Sequence, residues 1–339
     1  MTVDFRSDTL TRPTPGMLAA MMEAKVGDDV YGEDPSMLEL EAWLADYFGM
    51  EAGLFCPSGT MCNQIAIRIS TRPQDQVICD HRAHVYLYEG GGIAANSLAS
   101  VKLLEGNYGR LTAAQVEAAI NPDDPHFPRT SLVCLENTMN KGGGACYDLE
   151  EIEKISTLCH QNGLRLHLDG ARLFNALVAK EDDPKAYGKA FDTISICLSK
   201  GLGAPVGSVL VGSHQDRKEA LRVRKMMGGG MRQAGYLAAA GLYALQHQKE
   251  RLAIDHKRAG QLASVLLEQS WVADVFPTET NIVVFRPDQQ IHSTQTIMDK
   301  LSLKGIRASG FGPGYIRLVT HLDLNEAMID YTCAAIAAL

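Results

Sequence analysis

The sequence predicts an α/β fold: a large domain with a mostly parallel sheet, followed by a small α+β domain. Up to residue 212, short apolar runs alternate with helical segments, and the runs lack the polar alternation of a half-solvated sheet. From about residue 250 the chain changes to a long charged helical segment and several short strands. We therefore place the large domain at 1–249 and the small domain at 250–339, and we expect residues 1–30 to lie near the active site.

The large domain begins with a predicted turn and helix over 11–24. Strand character is found in the runs 53–58, 76–80, 100–105, 130–137, 164–169, 193–199 and 208–212. Helical patterns lie between these runs, at 60–69, 111–121 and 149–163. Parallel strands end at the same edge of a sheet, and ligands of such folds bind at that edge. The residues that directly follow each strand are therefore the candidates for function.

The small domain is predicted from a shorter alternation of helices and strands. Its helical segments are 247–269, 294–303 and 331–339, and its strands are 280–287, 306–310 and 315–321.

Composition excludes several classes of partner. The 339 residues carry a net charge of -8 with a pI of about 5.7, which argues against nucleic acid or an anionic membrane surface as the main ligand. No apolar run is long enough to span a bilayer. The 8 cysteines contain no Cys-x-x-Cys pair, which is typical of reduced thiols. We expect a cytoplasmic protein with a small-molecule ligand.

Two strand ends carry candidate binding groups. Ser58, Gly59 and Thr60 precede a helix, and the N–H groups and dipole at a helix N-terminus suit a phosphate, although such residues also cap ordinary helices. Asp169 ends another apolar run, with Arg172 three residues later. The two could form an internal ion pair, or the carboxylate could face a protonated ring nitrogen of a ligand.

Two further strand ends carry chemically useful nitrogens. Lys200 follows the apolar run 193–199, where an amine either reaches solvent or reacts with an aldehyde as a nucleophile. His81 and His84 follow 76–80; their spacing could suit a metal, but Arg82 lies between them and the sequence shows no matching third ligand, so we expect none. One imidazole could instead stack on an aromatic ligand.

Together these groups describe a ligand with a phosphate, a pyridine nitrogen and an aldehyde, which is pyridoxal 5′-phosphate (PLP). Across the whole chain the sequence resembles the low-specificity L-threonine aldolases, which are fold-type I PLP enzymes. The resemblance rests on the blocks DFRSDTLTRPT, VGDDVYGEDP, PSGTMCNQ, LENT, LHLDGARLFNA, ICLSKGLGAPVGS, RKMMGGGMRQ and IRLVTH, in this order.

The resemblance implies roles for individual residues. Lys200 matches the lysine that binds PLP as a Schiff base, Asp169 the acid on the pyridine nitrogen, and His84 the stacking histidine. Other cofactor contacts are implied for Ser58, Gly59, Thr60, Arg172, Lys225 and Arg232, the last two reaching the phosphate of a neighbouring subunit. Substrate contacts are implied for Ser7, Tyr31, His84, His126, Arg172 and Arg317, with Ser7 and the two arginines on the α-carboxylate.

One departure from the family pattern is visible. Met139 stands where a histidine is expected after LENT, and the insertion 141–146 lengthens the connection, which puts local substrate contacts in question but not the cofactor.

The reaction implied is reversible cleavage of L-threonine or L-allo-threonine to glycine and acetaldehyde, in a homotetramer built as a dimer of dimers. His84, His126 and an ordered water remain alternatives for the base. Other PLP chemistries, namely β-elimination and hydroxymethyl transfer, are the nearest rivals. A nicotinamide-dependent oxidoreductase would need a Gly-x-Gly-x-x-Gly turn, which residues 90–92 and 228–230 lack. A non-catalytic interaction protein would bury these charged groups without use.

Overall fold

The computed structural model describes residues 2–339. The strands are β1 (Val3–Asp4), β2 (Ala52–Cys56), β3 (Gln76–Asp80), β4 (Ser100–Leu104), β5 (Thr130–Glu136), β6 (Arg165–Gly170), β7 (Thr193–Cys197), β8 (Ser208–Gly212), β9 (Val272–Val275), β10 (Ile282–Pro287), β11 (Ile306–Arg307), β12 (Ser309–Gly310) and β13 (Ile316–Val319). The helices are α1 (Pro15–Met22), α2 (Pro35–Phe48), α3 (Gly59–Ser70), α4 (His84–Leu87), α5 (Gly92–Ser97), α6 (Ala113–Ala119), α7 (Leu149–Gln161), α8 (Leu173–Lys180), α9 (Pro184–Ala190), α10 (His214–Met226), α11 (Gly235–His247), α12 (Leu252–Leu267), α13 (Thr294–Leu303) and α14 (Glu326–Ala337). Within these residues no helix is both long and apolar enough to cross a membrane.

A seven-stranded sheet forms the centre of the large domain, in the order β2-β8-β7-β6-β5-β3-β4. The pairs among β4, β3, β5, β6 and β7 are parallel, whereas β8 is antiparallel to both of its neighbours. Residues of β2, β3, β5 and β7 are buried without alternation, because helices cover both faces of the sheet. The mostly parallel α/β prediction is confirmed.

The reversed direction of β8 follows from its connection to β7. Only residues 198–207 join the two strands, and a parallel return would need a crossover of a dozen or more residues. Two glycines with positive φ, Gly203 at 80° and Gly207 at 108°, allow the chain to turn within this short segment. The turn places Lys200 directly beyond the carboxyl end of β7.

The small sheet has the order β12-β13-β10-β9, and all its pairs are antiparallel. The N-terminus joins this unit, because β1 pairs in parallel with β11, and Val3 and the following Phe5 share the apolar core of the small domain. Helix α1 packs instead against the large domain, with Met17 in the main core. Residues 3–22 thus span both units, and the boundary at 249 and 250 remains a prediction.

Several elements of the small domain differ from the prediction. The helix expected over 247–269 begins only at Leu252, as α12, and α11 ends at His247, because the polar run 246–251 contributes no apolar face to bury. The last helix starts at Glu326, five residues earlier than predicted. Its N-cap is Asn325, whose side chain accepts the Met328 N–H at 3.0 Å. Strand β9 was not predicted.

Candidate active site

Lys200 lies at the carboxyl edge of the large sheet, half-buried in the connection between β7 and β8. Its Nζ is 3.6 Å from the Cys197 Sγ. The backbone around it is fixed, since the Lys200 carbonyl oxygen accepts the Gly203 N–H at 2.8 Å and the Thr11 hydroxyl at 3.3 Å. The lysine amine therefore extends from a fixed backbone and contacts a thiol.

The N-terminus of α3 packs beside this lysine. Ser58 caps the helix by accepting the Met61 N–H at 3.2 Å, and the first N–H groups of any helix lack partners within it. A Cβ added to Gly59 would lie 2.5 Å from the Cys197 Sγ, so only glycine allows this close approach. The helix end that suits a phosphate and the lysine amine thus contact the same cysteine.

Asp169 closes β6 at the same edge and is buried. One carboxylate oxygen accepts the Ala171 N–H at 3.1 Å, and the other accepts the Asn63 amide at 2.9 Å. Both bonds fix the plane of the carboxylate without neutralising it. The sequence showed no sign of Asn63, since a polar residue in a helix is ordinarily exposed.

His84 opens the short helix α4, and its side chain is 31% exposed. Its Nδ1 lies 2.8 Å from a Glu89 oxygen, and one ring nitrogen of His84 and oxygens of Glu89 and Asp169 all lie within 4.8 Å of one another. Burial alone would lower the pKa of His84, but the bond to Glu89 and the charges of Asp169 and Glu136 outweigh burial and raise it. His81 lies apart, with Nδ1 directed at a backbone oxygen.

Glu136 is a site residue that the sequence reasoning missed. It ends β5 in the LENT block, is buried, and accepts the His84 N–H at 2.7 Å and the Asn140 N–H at 2.9 Å. Burial and the nearby charge of Asp169 raise its pKa to about 7. The sequence did contain a signal for Glu136, because it is a single acidic residue at the end of an apolar strand.

Arg172 is engaged by an acid of the same chain. Its Nε and Nη2 donate to the two Asp8 oxygens at 2.8 and 2.7 Å, and both side chains are buried. Burial opposes ionisation of Asp8, yet the arginine and the charge of Lys200 lower the pKa of Asp8 to about 2. Arg172 therefore forms an internal ion pair, but with Asp8 and not with Asp169 as the sequence suggested. This pair occupies two of the Arg172 N–H groups that were expected to hold a substrate carboxylate.

Arg317 contacts no carboxylate among residues 2–339. It donates to the Asn140 side chain at 2.8 Å and the Arg6 carbonyl oxygen at 2.9 Å, and its buried Nε has no partner among these residues. Burial and the charge of Arg172 lower its pKa to about 10. Ser7 follows Arg6 directly, and its Oγ accepts from Thr9. This guanidinium is the group best placed to receive an external carboxylate.

Comparison with known proteins agrees with this geometry. The model of the beta-eliminating lyase family matches residues 4–290. A low specificity L-threonine aldolase of Escherichia coli K12 is 42% identical over 333 residues, covering 98% of this chain and 97% of that protein. The chain belongs to the low-specificity L-threonine aldolase family.

The fold of the family is seen in solved structures. A Leishmania major threonine aldolase superposes with a TM-score of 0.86 at 22% identity, covering 99% of each chain. A serine palmitoyltransferase solved with PLP has a TM-score of 0.76 at 18% identity, covering 99% of this chain and 87% of that one. The predicted family and the fold-type I PLP architecture are confirmed.

Four other residues implied by the aldolase resemblance lie outside this cluster within one chain. His126 is 86% exposed in the loop before β5, at the amino edge of the sheet, where it contacts Asp124. Tyr31 and Lys225 are exposed and line one surface cleft. Arg232 is exposed and paired with Asp28. Their site roles remain predictions, and each would require a neighbouring subunit or a rearrangement.

The departure at Met139 has a structural explanation. The Met139 side chain is fully buried against Gly109, so this threonine aldolase uses the position for packing. The segment 141–146 instead places Lys141 over the Phe311 ring at 4.2 Å and the Tyr88 ring at 5.5 Å. Tyr88 in turn lies against His84, with ring centroids 5.7 Å apart. This segment therefore supplies a cation beside the site.

The residues present fit PLP. The lysine amine, the fixed carboxylate of Asp169 and the free N–H groups at the start of α3 supply an amine, a ring-nitrogen partner and an anion site at one edge. The unpartnered Nε of Arg317 marks a place for a further carboxylate. PLP is accordingly the cofactor that the family and the site both indicate.

Proposed function

We propose that this protein is a PLP-dependent aldolase that cleaves L-threonine and L-allo-threonine reversibly to glycine and acetaldehyde. The observation that carries the proposal is the pairing of the Lys200 amine and the Asp169 carboxylate at the carboxyl edge of one sheet, in a chain whose half-buried Arg317 has no acidic partner among residues 2–339. Relatives named low-specificity L-threonine aldolase support the substrate class.

Lys200 and Asp169 would hold the cofactor at its aldehyde carbon and ring nitrogen, with His84 against the ring and the start of α3 at the phosphate. When bound, PLP withdraws the electron pair of the bond that breaks at the substrate α-carbon. Asp169 would support this as the partner of the ring nitrogen, with its carboxylate oriented by the hydrogen bonds from Asn63 and Ala171.

Arg317 would bind the substrate α-carboxylate, together with Ser7 and the remaining Nη1 of Arg172. A planar guanidinium holds a carboxylate through two hydrogen bonds, which fixes rotation about the adjacent bond. The fixed orientation of the substrate would decide which bond at its α-carbon is cleaved, and we expect this to be the Cα–Cβ bond.

His84 is the base that we favour for removing the β-hydroxyl proton. It lies in the cluster with Asp169, its pKa is raised, and one ring nitrogen is free of Glu89. His126 could act in its place only from another subunit, since within one chain it lies at the opposite edge of the sheet.

We infer that the enzyme works in the cytoplasm as a homotetramer, a dimer of dimers with shared sites. The support is that Tyr31, His126, Lys225 and Arg232 are all exposed, so that a neighbouring subunit can contact them. Sedimentation at several protein concentrations would test the assembly.

The name of the matching family makes β-elimination the second candidate reaction. The two reactions differ in their products: aldol cleavage of threonine yields acetaldehyde and glycine, whereas elimination yields a keto acid and ammonia. We expect acetaldehyde and glycine in equal amounts from the PLP-loaded protein and neither from Lys200→Ala. Release of a keto acid and ammonia as the main products would assign the protein to elimination instead.

A further inference from the structure

Asn63 is a buried amide of α3 whose hydrogen-bonding positions are all filled. Its Oδ1 accepts the Ser195 hydroxyl at 2.6 Å and lies 3.1 Å from His167 Nε2. Its Nδ2 donates to Glu89 at 2.8 Å and to Asp169 at 2.9 Å. The reverse amide orientation would place an oxygen against two carboxylates, so the orientation is determined by the contacts.

Glu89 is a second buried side chain whose carboxylate oxygens all have hydrogen-bond partners. Its side chain is 0% exposed and meets three nitrogens: Asn63 Nδ2, Gln64 Nε2 at 2.6 Å and His84 Nδ1 at 2.8 Å. The two amides donate, and an ionised carboxylate can only accept. His84 must therefore carry a proton on Nδ1, which leaves Nε2 as the nitrogen that can take up or release one.

We propose that Glu89 and Asn63 are positioning residues for the aldol reaction. Glu89 fixes the tautomer of His84, so that proton transfer takes place at Nε2, and Asn63 holds the Glu89 and Asp169 carboxylates in fixed orientations. The catalytic meaning of this arrangement rests on the proposed function. The tautomer does not, because it is set by contacts within the chain.

The surroundings of His84 determine what the loss of Glu89 would do. Three acids face it, Glu89 through Nδ1, Glu136 through the backbone N–H, and Asp169 within the same cluster, and the centroid of the Tyr88 ring lies 5.7 Å from that of His84. Glu89→Gln keeps the side-chain shape but removes the closest negative charge. An opposite charge at this distance moves a pKa by about 1–3 units, so the pKa of His84 should fall by at least about 1.

The test is nitrogen NMR of the full-length protein with labelled histidine, recorded with PLP bound and again after its removal. Comparison with His84→Asn assigns the signal. We expect the neutral ring of His84 to carry its proton on Nδ1, and its titration to move to lower pH in Glu89→Gln. The matched control is Glu41→Gln, a buried glutamate that bonds Phe55 and Arg217 and should leave His84 unchanged.

Asn63→Ala tests the other half of the proposal. Asp169 loses a donor, so the pH at which the absorption of bound PLP changes should shift relative to the wild type. A wild-type His84 protonated on Nε2, or a titration unchanged in Glu89→Gln, would overturn the role of Glu89, and the first result does not depend on whether Glu89→Gln folds. An unshifted absorption profile in Asn63→Ala would overturn the role of Asn63. A protein inactive on threonine that still shows the Nδ1 tautomer would contradict the proposed function alone.

Discussion

The buried pair of Asp8 and Arg172 makes a quantitative expectation possible. Asp8→Asn keeps the shape of the side chain but leaves the Arg172 guanidinium buried without its counter-charge. Removing one partner of a buried pair costs about 3–5 kcal/mol of unfolding free energy. The lowered pKa of Asp8 gives a second value for this contribution to the unfolding free energy. A fall from 3.8 to about 2 corresponds to about 2 kcal/mol at neutral pH, since one pKa unit is about 1.36 kcal/mol.

Urea unfolding at pH 7 measures this loss, with Asp4→Asn as the control because its partner Arg6 is exposed and the loss should be small. The sign of the pH dependence is also fixed. Since the pKa of Asp8 is lowered in the folded state, its stabilisation is present above pH 3.8 and disappears as the pH falls through 2. The gap between wild type and Asp8→Asn should therefore narrow below pH 4. A loss under about 1 kcal/mol at pH 7 would refute the assignment.

Three other variants test the site. Arg317→Leu should lower kcat/KM for threonine by about tenfold to a hundredfold, because a hydrogen bond to a charged group is worth about 1.5–3 kcal/mol. The absorption of bound PLP should remain, and loss of PLP would contradict a substrate role for Arg317. Gly59→Ala should release PLP faster on dialysis, because its Cβ meets the Cys197 sulfur, whereas Gly260→Ala, with open space around its Cβ, should not. Equal retention would count against the phosphate site. Lys200→Ala should remove the visible absorption of bound PLP and turnover, and an unchanged spectrum would exclude Lys200 as the cofactor lysine.

The strands of the large sheet could be predicted closely because burial on both faces makes each one a continuous apolar run. The run 76–80 is β3 and the run 208–212 is β8, residue for residue. The direction of β8 was not readable from its own composition. The direction follows instead from the length of the connection between β7 and β8, which includes Lys200. This length can be counted in the sequence, and it is too short for a parallel return.

Lys200, Asp169 and His84 could be inferred from the sequence because each lies at or just after the end of a strand. The groups behind them could not: Asn63 and Glu89 have the residue types of exposed helix and loop positions, and only the packing of α3 against the sheet shows that they are buried. Asp8 was missed for a different reason, since its partner Arg172 is 164 residues away in the chain.

His126 is the opposite case, a residue that the resemblance places in the site but that lies far from it within one chain. The residue resemblance to threonine aldolases indicates a site role, but the loop before β5 lies at the amino edge of the sheet in its own chain. Residue matching carries no information about which subunit supplies a group, and that question depends on the assembly.

The account is tested most directly by acetaldehyde release from the four stereoisomers of threonine, with and without added PLP. We expect release from L-threonine and L-allo-threonine, none from either D isomer, and a strict requirement for PLP, with one glycine formed per acetaldehyde. Cleavage of D isomers at a comparable rate, or no acetaldehyde from either L isomer by the PLP-loaded protein, would contradict the account.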